Sequence, residues 1–227
     1  MYFLPQFIDF FLPRFCSSCK IKLKAEEEIV CPVCLSLIIR PDPQRLSREF
    51  ERKFSPENII SGFTSLFVFE KDKELQNIIH GLKYEGKFRI GVYLGKMMGA
   101  ELSGQFNEWK IDLIVPVPLH HLKKAERGYN QSEFIAKGIR SVSDIPVSTN
   151  SIKRNRFTET QTGFNLAERR ENLKDAFSIK RKTDLKGKKI LLLDDVITTG
   201  ATVSECGKIL LETGAAKIYA ASAAIAD

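Results

Sequence analysis

The chain has 227 residues, room for one large domain or for one medium domain with a small appendage. Its 43% hydrophobic content can bury a real core, and no uninterrupted apolar run is long enough to span a bilayer. The formal charge of +7 suits polyanionic ligands, a pyrophosphorylated sugar or nucleic acid, without choosing between them.

Residues 1–15 are apolar, but they lack a basic leading region and are interrupted by Pro5, Asp9 and Pro13. They read as a helix packed on the protein's own surface, not as a targeting signal, and the expected compartment is cytoplasmic. Two CxxC pairs follow, Cys16 with Cys19 and Cys31 with Cys34, separated by eleven residues. Each pair puts two thiolates on one side of a tight turn, and two such knuckles complete a tetrahedron around Zn²⁺. A reducing compartment disfavours a disulfide framework, and redox CxxC motifs usually occur singly. Between Cys16 and Cys34 the only sizeable apolar residues are Ile21, Leu23, Ile29, Val30 and Val33, too few to order the segment alone. Structural zinc supplies on the order of 10–16 kcal/mol of coupled folding free energy. Four protein ligands leave no open position, so the expected role is structural. The fifth cysteine, Cys206, falls on an apolar helical face and reads as core.

From Arg40 to Lys53 a charged stretch punctuated by Pro41, Pro43 and Pro56 reads as a linker with one short helix. The expected division is residues 1–55, a helix, cysteine knuckle and linker, and residues 56–227, an α/β domain. In that domain Ser65 to Phe69 reads as a strand. Lys73 to Tyr84 places Leu75, Ile78, Ile79 and Leu82 on one helical face, and Ile90 to Leu102 repeats the pattern. Ile111 to Val117 is a buried-strand pattern stopped by Pro116 and Pro118. A helix over Gln131 to Val142, a strand near Ile145 to Ser151 and a polar stretch from Lys153 to Asn172 come next. Ala176 to Ile179, Lys189 to Leu193 and Ala216 to Ala223 read as further strands. This alternation implies a mostly parallel sheet covered on both faces.

Two connections carry chemistry. The Pro-Val-Pro run ending at Pro118, with Leu119, His120 and then Arg127, makes a stiff loop where a diphosphate could meet backbone N–H groups, His120 and Arg127. Prolines that merely stop a strand beside solvated histidines would explain the same residues. The twenty residues from Lys153 to Asn172 hold Arg154, Arg156, Thr158, Gln161, Arg169 and Arg170 with no clear periodicity. Such a length inside a compact domain marks a mobile functional loop, with an ordinary solvated charge run as the alternative.

The most informative run is Lys189 to Thr202. An apolar strand ends in adjacent carboxylates, Asp194 and Asp195, and passes through Thr198, Thr199, Gly200, Ala201 and Thr202 into a helical pattern. Ligands of parallel sheets sit beyond the C-terminal strand ends, where a helix N-terminus favours phosphate. Paired acids beside a phosphate cradle fit a ligand with neutral hydroxyls, or a metal, at its other end; ribose 5-phosphate has that character. Paired acids also open receiver domains, but only 32 residues follow Asp195, which excludes that arrangement. A buried strand ending in a solvated acidic turn leaves the threonine-rich loop unmotivated, and no Walker lysine follows the glycine.

This run resembles the phosphoribosyl-pyrophosphate (PRPP) motif of type I phosphoribosyltransferases. The resemblance implies that Asp194 and Asp195 hold the ribose hydroxyls and that Thr198 to Thr202 hold the 5′-phosphate. The wider set resembles the ComF family of competence-associated, phosphoribosyltransferase-like proteins over nearly the whole chain. It includes the apolar start, the four cysteines, Ile79 to Gly86, Val115 to His120, Arg127 to Gln131, Arg154-x-Arg156-x-Thr158-x-x-Gln161 and Arg169-x-x-Asn172. That family implies a five-stranded parallel sheet, pyrophosphate contacts from Pro118, Leu119 and His120, and a flexible catalytic loop from Arg154 to Asn172.

The expected activity is Mg²⁺-dependent transfer of the phosphoribosyl group from PRPP to an unidentified acceptor. Asp194 and Asp195 would orient the ring, with Arg154 and Arg156 of the loop as the catalytic cations. Arg156 and Mg²⁺ would neutralise the departing diphosphate, and the loop would exclude water. The competing expectation is a single-stranded-DNA-binding factor in DNA uptake, partnered by competence-machinery proteins, with the PRPP fold as sensor or scaffold. Stacking would then use aromatics near basic residues, with Tyr84, Phe88, Tyr129, Phe157 and Phe164 as candidates.

Overall fold

A computed structural model describes residues 13–156, 173, 175–180 and 184–226. At its centre four parallel strands run in the order β1 (Ile60–Val68), β6 (Lys217–Ile225), β5 (Lys189–Ile197), β2 (Leu113–Pro116). β5 shows why the sheet is central. Ile190 and Leu192 enter one hydrophobic cluster, Leu191 and Leu193 the other, and all four are fully buried. A strand buried on both faces reads as a continuous apolar run because helices cover both sides.

One cluster unites the sheet with α3 (Glu74–Tyr84), α4 (Phe88–Glu101) and α7 (Gln131–Arg140). The other unites it with α2 (Pro43–Phe54) and α8 (Ala201–Glu212). α4 and α7 meet backbone to backbone. A Cβ built on Gly95 would lie 2.0 Å from the Ile135 carbonyl oxygen, and one on Gly138 would lie 2.2 Å from that of Val92.

Several expectations change in detail. β5 does not stop at Leu193 but runs on to Ile197, so both acids lie within the strand, with Asp194 in register with Ser222. The strand expected over Ile145 to Ser151 reduces to one parallel bridge between Val147 and Ile114. After Ser148 the chain turns, closed by a Ser151 Oγ to Ser148 Oγ hydrogen bond of 2.8 Å. Among the described residues the parallel sheet therefore has four strands plus that bridge. The segment expected as a strand at Ala176 to Ile179 forms β4 (Phe177–Ile179), antiparallel to β3 (Ile152–Arg154) and outside the main sheet. Lys153 and Arg154 thus belong to a strand rather than to a loop. Helices α5 (Ser103–Trp109) and α6 (His121–Arg127) were not expected. α6 is held by its caps, His120 at the start and Gly128 at φ 79° at the end.

Near the N-terminus the backbone makes short turns and then α1 (Pro32–Leu37). Leu23, Val30, Cys34 and Ile38 share the hydrophobic cluster of α3 and α4. Among the described residues no helix is long and apolar enough to cross a membrane.

Candidate functional site at the C-terminal sheet edge

The end of β5 delivers two acids and a turn to one place. Beyond Ile197 the chain bends through Thr198 and Thr199 to Gly200, whose φ of 78° is the left-handed conformation glycine adopts without strain. α8 starts immediately after, its first amides and dipole facing the turn. The Ala201 amide reaches Thr199 Oγ1 at 3.4 Å.

The acids are held differently. Asp195 Oδ2 pairs with Lys83 Nζ at 3.1 Å, and its Oδ1 accepts from the Val196 amide at 2.7 Å. Asp194 Oδ1 accepts from Ser132 Oγ at 3.1 Å and from the Asp195 amide at 2.9 Å. Burial, then repulsion by Asp195, pushes the Asp194 carboxyl up to about 7, against the pull of the Asp195 amide, Lys83 and Ser132. Arg154 and the fully buried Cys206 also feel Asp194. Burial lowers the Arg154 guanidinium, while Asp194 helps to hold it charged. Burial pushes the Cys206 thiol far up, with Asp194 adding to the effect.

Two cations reach these carboxylates, Lys83 through its ion pair with Asp195 and Arg154 through the field of Asp194. Lys123 is lowered by burial and then by Arg154, Arg127 and Lys83, so these four cations share one field. His120 is buried, and burial followed by neighbouring His121 lowers it, so it is neutral near pH 7. Its Nδ1 accepts from the Leu122 amide at 3.3 Å, and its ring also donates to the Asn155 backbone. His120 therefore ties the Pro-Val-Pro loop to the end of β3.

The Arg127 to Gln131 segment is the scaffold of this edge. Arg127 Nη1 donates to Gln131 Oε1 at 3.0 Å, and its guanidinium lies 5.3 Å from the Tyr84 ring centroid. Tyr129 donates its hydroxyl to the Leu82 carbonyl at 2.5 Å, pinning the end of α3 one residue before Lys83. Asn130 caps α7 and donates to the Val117 carbonyl at 2.9 Å. Three elements around the acids are thereby fixed to one another.

From behind, α2 presses on the turn. Lys53, 1% exposed, donates to the Thr198 and Ala226 carbonyls and pairs with Glu49 at 3.1 Å. A Cβ on Gly200 would lie 2.7 Å from the Phe54 ring.

Of the residues singled out in sequence, Asp194, Asp195, the Thr198 to Thr202 turn, Arg127 and Arg154 meet at this edge. Pro118 and Leu119 are half-buried beside His120, and Arg156 is exposed at the end of the described arm. Thr158, Gln161, Arg169, Phe157 and Phe164 lie outside the described residues. Sequence reasoning missed Lys53, Lys123 and Ser132, and gave Lys83 no role. For Lys83 the available signal was a lysine ending the apolar face of α3.

A second cluster lies at the N-terminus. The sulfurs of Cys16, Cys19, Cys31 and Cys34 all lie within 4.8 Å of one another, with Cys19 and Cys31 at 3.8 Å. Tetrahedral Zn–S bonds of about 2.3 Å place sulfurs roughly 3.8 Å apart, so the set fits such an ion. Burial raises Cys16, but the amides of Cys31, Cys19 and Ser18 outweigh it and bring the thiol to about 7. Cys34 is pushed up to about 12, by burial first and then by the other sulfurs. Four crowded thiols resist joint ionisation, and a divalent cation removes that resistance. The cluster could hold a metal such as zinc.

The phosphoribosyl transferase domain family matches residues 98–226. Competence protein F of Haemophilus influenzae is 34% identical over 148 residues, 63% of this chain and 65% of that protein. DNA utilization protein YhgH of Escherichia coli strain K12 is 31% identical over 147 residues, 63% of this chain and 64% of that protein. The matched stretch spans just under two thirds of the length of both. Competence protein ComFC of Bacillus subtilis strain 168 is 24% identical over 220 residues, 89% of this chain and 80% of that protein. Among solved structures, a purine phosphoribosyltransferase from Pyrococcus horikoshii aligns at a TM-score of 0.39 and 20% identity, covering 59% of this chain and 74% of that one. With its parallel sheet, the chain belongs to the phosphoribosyl transferase domain family, and its relatives carry competence and DNA-utilization names.

Proposed function

We propose that the chain binds PRPP with Mg²⁺ at the C-terminal edge of β5 and transfers the phosphoribosyl group to an acceptor. The observation that carries this is the meeting of Asp194 and Asp195 with Lys83 and Arg154 beside a glycine-capped helix start. A neutral diol, a phosphate and a diphosphate on one molecule match those three parts. Asp194 and Asp195 accept from the ribose hydroxyls. The Thr198 to Thr202 turn donates to the 5′-phosphate. The Pro118 to His120 loop and Arg127 receive the diphosphate, and Arg154 and Arg156 bring charge from the β3 arm. His120, being neutral, contributes as a hydrogen-bonding group rather than as a charge.

As the C1–oxygen bond to diphosphate breaks, its electron pair leaves with pyrophosphate, while a nitrogen lone pair of the acceptor forms the new C1 bond and the acceptor sheds a proton. The protein's part is positioning and charge stabilisation. The Asp194 and Asp195 carboxylates, whose mutual repulsion a divalent cation would relieve, are the oxygen donors that would fit Mg²⁺, which when bound would supply positive charge to the diphosphate. At the other end Cys16, Cys19, Cys31 and Cys34 hold a structural Zn²⁺, which suits a reducing, cytoplasmic setting. Residues 1–55 form the knuckle and linker, and 56–227 the PRPP-binding domain.

The test is a calorimetric PRPP/Mg²⁺ titration of wild type and Asp195→Asn, followed by a pyrophosphate-release screen over bases, amines and single-stranded DNA. Hydrogen bonds to charged groups contribute about 1.5–3 kcal/mol, so the substitution should weaken PRPP at least about tenfold. Unchanged affinity removes Asp195 from this role.

A second reading has its own observation. Tyr84 is 60% exposed under the Arg127 guanidinium, and Phe88 is exposed between Lys87 and Arg89. Exposed aromatics among cations suit single-stranded DNA, in keeping with the competence and DNA-utilization names of the relatives. Binding that falls steeply with salt and survives Asp195→Asn would favour it.

A further inference from the structure

Lys53 stands out because its cost has no obvious return in the hydrophobic core. The neighbouring Phe54 and the nearby Phe50 and Leu46 of α2 pack into the cluster beneath the sheet, as an amphipathic helix should. Lys53 is buried with them, and an ammonium leaves water at a penalty unless it is fully partnered. Its partners are specific. Nζ donates to the Thr198 carbonyl and to the Ala226 carbonyl at 2.8 Å, and it pairs with Glu49 Oε2 at 3.1 Å. Glu49 is in turn held by Arg52 at 2.6 Å.

Thr198 opens the turn assigned above to the 5′-phosphate. In a planar trans peptide the carbonyl and the following N–H point in opposite directions, and none of the described peptides is cis. Anchoring the Thr198 carbonyl on Lys53 therefore aims the Thr199 N–H away from α2, toward the open side of the turn. α2 also packs closely on the next turn residue, since a Cβ on Gly200 would lie 2.7 Å from the Phe54 ring and 3.2 Å from Lys53 Cβ. We infer that Lys53 is a positioning residue for phosphate: a buried cation, supplied by the helix that joins the cysteine knuckle to the sheet, that sets the donors of the Thr198 to Thr202 turn. This rests on the PRPP reading and assigns a part of the site that lies in the linker.

The experiment compares magnesium PRPP with magnesium pyrophosphate on the full chain by calorimetry, in wild type and Lys53→Met. Methionine fills a similar volume without the donor. The expected result is about tenfold weaker PRPP binding with pyrophosphate affinity within about twofold, because only PRPP carries the 5′-phosphate. A merely structural residue would weaken both ligands together. Equal losses, or none, overturn the assignment. Should Lys53→Met fail to fold by circular dichroism, Glu49→Gln carries the test. It leaves the ammonium in place but loosens it, so a selective loss of at least about twofold for PRPP supports the inference, and unchanged PRPP binding overturns it. Wild type that binds neither ligand overturns the PRPP reading itself, an outcome distinct from either failure of the variants.

Discussion

Asp194 sits where its charge is least welcome. Burial and the neighbouring Asp195 lift its carboxyl from 3.8 to about 7, although Ser132 and the Asp195 amide donate to it. A carboxyl whose folded value exceeds its unfolded one stabilises the fold while protonated, and that contribution is complete below about pH 4 and gone above about pH 7. Across that window the acid should cost the fold on the order of 2–4 kcal/mol. Asp194→Asn removes the titration. Its melting temperature relative to wild type should climb steadily from pH 4 to pH 8, with both proteins followed by calorimetry in the absence of ligand. A constant difference across pH would mean that Asp194 is not strained by its surroundings. Such strain is expected of the proposed hydroxyl- and cation-binding site.

At the scale of elements, α4 and α7 form the platform from which Ser132 reaches Asp194. Their contact depends on Gly95 and Gly138 facing each other without side chains. Gly138→Ala would put a methyl 2.2 Å from the Val92 carbonyl oxygen, so the helices must separate. Overpacking costs about 1–3 kcal/mol, and a clash with backbone belongs at the upper end. Thermal melts should show a fall of roughly 5–10 °C, and an unchanged melting point would mean that the two helices are not in backbone contact. The sequence placed Gly138 in the helix expected over Gln131 to Val142 but did not show what it meets, because helix pairing is long-range. The same distinction divides the whole site. Asp194 to Thr202 was legible since strand, acids and turn are contiguous. Lys53 and Thr198 lie 145 residues apart, and only packing brings them together. β5 was under-read at its end because two acids look like a terminator. The paired register with β6 and the capture of backbone amides by both carboxylates keep the strand going. α6 was missed since the rule that proline ends a strand gave no hint that His120 would cap a helix.

For the molecule as a whole, the question is what the cysteine cluster fastens. Cys16, Leu23, Val30, Cys34 and Ile38 share one hydrophobic cluster with Leu75, Ile78, Ile79 and Leu82 of α3. The Ser18 carbonyl accepts from Asn77, and the Ile39 carbonyl from the Val68 amide at the end of β1. α3 ends at Tyr84, and its Lys83 holds Asp195. A disturbance at the cysteines therefore has a packed route to the acids, and α2 supplies a second route through Lys53. Removing the proposed zinc with a strong chelator should release four reactive thiols, while Cys206, 0% exposed, stays silent until the chain unfolds. A loss of even about 4 kcal/mol of metal-coupled stability corresponds to roughly 10 °C in a chain of this size. The stripped protein should accordingly melt at least that much lower and bind PRPP more weakly, and restored zinc should recover both. If chelation frees the thiols but leaves melting and PRPP affinity untouched, the knuckle is an independent attachment. The shared cluster beneath α3 would then contribute nothing to the geometry of Lys83 and Asp195.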